Sequence, residues 1–166
     1  MADFFSGSED QVNAVELLTA DHRKVEDLFS QVRENEDANN RRIFEQIRRE
    51  LETHTHIEEQ IFYPHLLKVG DEKLQNLTRE ALAEHGQVKT VLQELSAPSE
   101  DREDFRAQLT VLMEDVEHHV EEEENEMFPL VRNQVDEDAL LRLGSLMETE
   151  KRNFSQASSR TASAGG

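Results

Sequence analysis

The sequence contains no cysteine. Disulfides, zinc knuckles, iron–sulfur clusters and thiol catalysis are therefore excluded. Residues that break regular structure are also scarce, with 6 glycines and 3 prolines among 166 residues. With a charged fraction of 33%, that profile favours helices with solvated outer faces over a sheet-rich fold. No apolar run approaches the roughly 18 residues of a membrane span. The N-terminal stretch MADFFSGSEDQ lacks a basic region followed by an apolar one, so no secretory signal is recognisable. A soluble, cytoplasmic protein is the expectation. Positive charge is in deficit as well: 18 lysines and arginines face 37 acidic residues, a formal net charge of -19. That balance repels nucleic acid phosphates and anionic membranes, so neither is expected as a partner, and it draws metal cations toward the protein.

What is present is helical periodicity. The length suits one domain with a substantial core. From about 11 to 35, Val15, Leu18, Val25, Phe29 and Val32 share one face, and His22 fills the gap between Leu18 and Val25. A second helix over about 40–69 turns Ile43, Ile47, Leu51 and Ile61 inward, with His54 and Glu58 in the same stripe. After Gly70-Asp71, a third over about 72–95 carries Leu74, Leu77, Ala81, Val88, Leu92 and Leu95, with His85 in register. SAPSED at 96–101 is a turn and a helix start. The fourth helix, to about 134, carries Phe105, Leu109, Leu112, Val116 and Leu130 together with His119 and Glu123. A short fifth helix is expected over 136–152. The expected fold is all-α: an up-down-up-down antiparallel four-helix bundle with a short additional C-terminal helix. Residues 1–10 read as a flexible arm, 11–152 as the bundle domain and 153–166 as a disordered tail.

The chain is also an internal repeat. LLTADHRKVEDLF (17–29) resembles EALAEHGQVKTVL (80–92), and HTHIEEQIFYP (54–64) resembles HVEEEENEMFP (119–129). His22 and His85 are 63 positions apart, His54 and His119 are 65 apart. Each half is then a helical hairpin with one lone histidine and one His-x-x-x-Glu pair. Residues four apart on an α-helix differ by about 40° in direction and about 6 Å in height, so each pair can point into one small volume. Imidazole nitrogen and carboxylate oxygen together suit iron, manganese or zinc, and a carboxylate can bridge two ions.

Taken singly these signals are weak. A lone histidine in a helical stripe is more often a hydrogen-bonded core residue, and surface helices carry His-x-x-x-Glu by chance. The set of six differs, because without cations it would bury two carboxylates and four imidazoles at heavy desolvation cost. The same geometry sets other candidates aside. His56 and His118 are displaced around their helices and should face solvent. His65 lies nearly in line with His54, but its repeat counterpart is Leu130, so it reads as packing. Within EEEE at 121–124 only Glu123 has both the stripe and the repeat behind it. Pro64 and Pro129 fall at the same place in both repeats and should bend or end the inward stripe.

DHRKVEDLF, HTHIEEQIFYP, EHGQV and HVEEEENEMFP resemble the successive motifs of hemerythrin-like domains, the HHE cation-binding family, over about residues 14–132. The resemblance implies a bundle enclosing a non-haem di-iron centre: two iron ions with an oxo or hydroxo bridge, with manganese or zinc less favoured. It assigns as ligands His22, His54, Glu58, His85, His119 and Glu123, the two glutamates bridging. Oxygen-carrying members have a further histidine one turn from the one matching His85. Here those positions are Ala81 and Lys89, which leaves Tyr63 and Glu84 as conceivable substitutes. An exchangeable position at one iron favours chemistry with peroxide, oxygen or nitric oxide over clean reversible carriage. The leading expectation is a protein that binds or senses such small molecules. The alternatives are peroxide decomposition or another redox activity, iron storage or delivery, and a metal-free structural bundle.

Overall fold

A computed structural model describes residues 11–35, 40–97 and 102–164, the last stretch with side chains from 103 to 161. The expected N-terminal arm (1–10) and most of the SAPSED turn lie outside the described residues. The first helix, α1 (Ala14–Glu34), starts where the Asn13 side chain accepts the backbone N–H of Glu16 at 2.9 Å. Such a cap supplies a partner to a donor the helix leaves unmatched and is worth about 1 kcal/mol. Asp71 does the same for α4 (Glu72–Ser96), accepting from Leu74 N–H at 2.9 Å.

The second and fourth long helices depart from the expected regularity. The second comprises α2 (Asn40–Ile57), a π-helical turn (Glu58–Phe62) and α3 (Tyr63–Val69). The fourth comprises α5 (Arg102–Glu122), a π-helical turn (Glu123–Met127) and α6 (Phe128–Gln134). The helices run on through both prolines, and what changes there is the phase of the inward stripe. Pro64 and Pro129 lack an N–H, and each ring would crowd the carbonyl four residues back. Just before each, the Tyr63 and Phe128 N–H groups reach five residues back, to the carbonyls of Glu58 and Glu123. The wider turn absorbs one extra residue and advances the inward face by one position. Ile61 and Leu130, expected inside, are consequently only half-buried, while Phe62, Tyr63, Leu66, Met127, Phe128 and Val131 fill the interior. His65 is half-buried for the same reason, with Leu66 in the place it would hold on a regular helix.

Around the bundle, α1 packs on α2, α4 on α5, and contacts of α1 with α5 and of α2 with α4 close the ring. The interior is divided. One apolar core includes Leu18, Phe62, Leu66, Leu74, Phe128 and Val131; the other includes Phe29, Phe44, Ile47, Leu92, Leu95 and Leu109. The histidine–glutamate layer lies between them.

The C-terminal helix corrects the expected short one: α7 (Glu137–Ala164) runs for 28 residues, through 153–164, which composition assigned to a disordered tail. Leu140, Leu143 and Met147 bury its first half, as its period suggested. At Gly144 it comes so close to the start of α1 that a Cβ would stand 2.1 Å from the Val12 carbonyl oxygen. Farther on, Lys151 pairs with Asp21 of α1, and Phe154 stacks on His56 of α2 with ring centroids 4.2 Å apart. These tertiary contacts carry the helix beyond 152, where local composition offered no apolar stripe. No helix among the described residues is long and apolar enough to cross a membrane.

Candidate metal centre

All six residues expected at the centre are buried and converge between the two apolar cores. Glu58 Oε1 lies 2.9 Å from His54 Nε2 and 3.3 Å from His85 Nε2. Glu123 stands in the same relation to the other pair, with Oε1 3.3 Å from His22 Nε2 and Oε2 3.3 Å from His119 Nε2. Ligand atoms of His22, His54 and Glu123 lie within 4.8 Å of one another, and so do those of Glu58, His85 and His119. Each glutamate therefore touches one histidine of either trio. Both glutamates open a π-helical turn. The wide turn lets Tyr63 and Phe128 join the interior beside them without displacing the carboxylates.

Every imidazole points Nε2 inward and is held from behind through Nδ1. His54 is held by Asp21 at 3.1 Å, His22 by Glu124 at 3.1 Å, His85 by Glu59 at 3.1 Å and His119 by Glu84 at 3.0 Å. A carboxylate behind an imidazole fixes its tautomer and raises its basicity toward a cation on the other side. The scheme follows the repeat. The acid preceding each lone histidine (Asp21, Glu84) serves the paired histidine of its own half. The acid following each inner glutamate (Glu59, Glu124) serves the lone histidine of the other half. The Phe128 ring lies parallel to His22, with centroids 6.0 Å apart.

The donor atoms show what the layer is short of. Among the described residues, seven buried side-chain polar atoms have no hydrogen-bond partner; six are His22 Nε2, His54 Nε2, His119 Nε2, both Glu58 oxygens and Glu123 Oε1. Nitrogen and oxygen approach closely there without hydrogen-bond alignment, an arrangement native interiors avoid unless something else satisfies the atoms. The set of four imidazoles and two carboxylates fits two divalent or trivalent first-row cations. Electrostatics agree. Burial opposes a charged His54, yet Glu58 and Asp21 outweigh it and raise the imidazole to about 10. His119, also desolvated, is raised by Glu123 and Glu84 to about 11. Burial and Glu123 push the Glu58 carboxyl up, but His54 and His85 hold it below the usual range; Glu123 is held well below by His119 and His22 despite its burial.

Of the two substitutes considered for the absent histidine, Tyr63 reaches the interior. Its hydroxyl donates to Glu123 Oε2 at 2.6 Å and stands 3.4 Å from His85 Nε2. Burial, with Glu123 and Glu58 nearby, raises its pKa well above the usual value, so it keeps its proton. Glu84 is instead an outer support for His119. His118 faces solvent as expected, but His56 does not: it lies beneath α7, bonded to Glu150 at 2.8 Å. Sequence reasoning missed Asp21, Glu59 and Glu124, although the acids flanking the motifs recur in both halves. Against the four imidazoles lies a cavity of about 20 Å³, walled mainly by Val25, Leu51, Val88, Val116 and Val120.

Comparison with known proteins agrees with this geometry. The chain is 30% identical over 129 residues to a Nostoc protein named DNA nickase, a match spanning 76% of this chain but 36% of that protein. It is 26% identical over 138 residues to an uncharacterised hemerythrin-like protein of Schizosaccharomyces pombe, covering 82% of this chain and 68% of the other. Its fold superposes with a TM-score of 0.73 on the crystal structure of a hemerythrin HHE cation binding domain-containing protein from Mycobacterium kansasii, at 26% identity, over 88% of this chain and 89% of that one. The profile of the hemerythrin HHE cation binding domain matches residues 13–131, and with the buried histidine–glutamate layer in the same segment, the chain belongs to that family.

Proposed function

We propose that this chain is a non-haem di-iron protein that binds or senses oxygen or a related small molecule, peroxide or nitric oxide, at the histidine–glutamate centre. His22, His54, Glu58, His85, His119 and Glu123 would hold the irons, with Glu58 and Glu123 shared between them. The observation that carries the reading is the valine- and leucine-walled cavity against the four imidazoles. At about 20 Å³ it has room for one water-sized or diatomic guest. Apart from the four imidazoles and Thr55 its walls are apolar, which favours a small uncharged guest over a hydrated ion. Paired irons cycling between ferrous and ferric states would supply up to two electrons to such a guest. The chain itself excludes bulk water with two apolar cores, orients each imidazole through an outer carboxylate, and directs the Tyr63 O–H at Glu123.

That proton supports a second reading, decomposition of peroxide to water and oxygen. Tyr63 donates its O–H to Glu123 within the buried layer, and turning two peroxide molecules into water and oxygen needs a group that gives a proton and takes it back without admitting solvent. Nucleic acid is not proposed as a partner: a net charge of -19 repels phosphates, and the chain spans about a third of the Nostoc protein whose name implies DNA. The test is an optical spectrum of the iron-loaded protein with and without oxygen, peroxide and nitric oxide. A reversible ligand-dependent band supports binding or sensing, and steady oxygen evolution from peroxide supports decomposition. Iron that leaves readily to a mild chelator with neither response would replace both with storage or delivery.

A further inference from the structure

The four outer carboxylates are not equivalent. Asp21 pairs with Lys151, Glu124 with Arg23 and Glu59 with Lys89. Among the described residues, Glu84 has no lysine or arginine within ion-pair distance; its partner is His119. It faces His118 and Glu122 instead, and one ligand atom from each of the three lies within 4.8 Å of the others. The cause is visible in HHVEEE (118–123). The spacing His-x-x-x-Glu occurs there twice, one residue out of step: His119 and Glu123 face inward, while His118 and Glu122, 3.1 Å apart, face outward. The first repeat has buried Thr53 and Ile57 at the corresponding positions, so this second pair exists on one side of the molecule only.

Glu122, with His118 beside it, stands at a narrow opening of about 10 Å³ between α4 and the end of α5. The polar lining passes from exposed Glu80 through Glu84 and Glu122 to His119 and Glu123, with Leu77, Ala81 and Met127 completing the wall. Its floor separates it from an ordinary acidic surface. His119 and Glu123 are 6% and 2% exposed. Both line the opening, and both carry a buried polar atom, Nε2 and Oε1, with no hydrogen-bond partner. The two nitrogens of His119 span the step, Nδ1 on Glu84 at the mouth and Nε2 turned to the centre.

We propose that this opening is the route by which divalent cations enter and leave the centre, with Glu84, His118 and Glu122 as a transient cation site at its mouth. The inference rests on the reading of the centre as a metal site. A cation crossing into a dry interior must exchange water for protein oxygen and nitrogen in steps. Here two carboxylates and an imidazole are presented together immediately outside the first inner ligands. The other three outer carboxylates carry a lysine or arginine, which repels an approaching cation.

The test is loading of metal-free full-length protein with cobalt(II), followed by its visible absorption in a stopped-flow instrument, and unloading by excess chelator. In the double variant His118→Ala/Glu122→Gln, both loading and unloading slow by about tenfold, the lower end of what charge focusing contributes to association rates. Final stoichiometry and affinity match the parent, because a route changes both rates alike. Glu121→Gln, which removes the same charge on a neighbouring exposed position, loads at the parental rate. Parental rates in the double variant, equal slowing in Glu121→Gln, or weakened affinity with an unchanged loading rate each overturn the route while leaving the centre standing. A parent protein that takes up no cobalt or iron overturns the centre and the route together.

Discussion

At the scale of single residues, the centre depends on side chains that touch no cation. Asp21 is the clearest. Burial pushes its carboxyl up, but His54 and Lys151 outweigh that and hold it below the usual range, so it is charged where it supports the His54 Nδ1–H. Asp21→Ala leaves His54 free to turn and to take the wrong tautomer. The expected result is about 10- to 100-fold weaker binding of one cation, with the fold retained, read from competition with a chromophoric chelator. Tyr63→Phe asks a different question. The phenyl ring keeps its packing but leaves Glu123 Oε2 without its donor. Two cations per chain should still bind, and if peroxide is the substrate its turnover should fall by about a hundredfold. An unchanged turnover number would remove Tyr63 from the proton path. At this scale the sequence was legible where residues recur: the repeat and the helical stripe singled out six positions that the fold brings together. The outer acids were not read, because one acid among 37 carries no signal until its partner in space is known.

At the scale of elements, what the sequence concealed is phase and length. A 3.6-residue period run straight through Pro64 and Pro129 puts Ile61, His65 and Leu130 inside, and the π-helical turns put Phe62, Leu66 and Val131 there. The prolines were visible, but whether a proline bends, ends or widens a helix depends on what the following residues bury. Here large apolar side chains on both sides of the proline hold the helix together through the widened turn. α7 shows the same limit: its second half lacks a stripe and is held by Lys151 and Phe154, contacts set in three dimensions. Its approach to α1 rests on Gly144. Adding a methyl group there places carbon against the Val12 carbonyl and the Asn13 and Ala14 backbone. Backbone cannot yield as a flexible side chain would, so Gly144→Ala should cost about 1 to 3 kcal/mol in urea unfolding. It should also loosen Lys151 and Phe154, making α7 exchange amide hydrogens faster than α4. Equal stability and exchange would mean that α7 is not anchored at this crossing.

At the scale of the whole molecule, the chain has placed a polar layer where a bundle of this size would otherwise have one continuous core. Each apolar half is well packed, yet the layer joining them holds six unsatisfied atoms and two inward carboxylates. An interior of that kind is stable only if its charges are matched, and the -19 net charge of the chain adds repulsion that makes matching more necessary. Cations bind the folded layer and find no comparable site in the unfolded chain, so loading must raise stability by mass action. At a free metal concentration of a hundred times Kd, one cation contributes about 3 kcal/mol, or about 5 to 10 °C in melting temperature for a domain of this length. The predicted experiment compares melting of chelator-treated and reloaded protein, alongside Glu58→Ala and Glu123→Ala. Reloading should restore the full increment in the parent and at most half of it in either variant, because each glutamate touches a histidine of both trios. A metal-free protein that melts at the same temperature as the loaded one would mean that the layer satisfies itself with protons alone, and that cations are not what the two hairpins evolved to enclose.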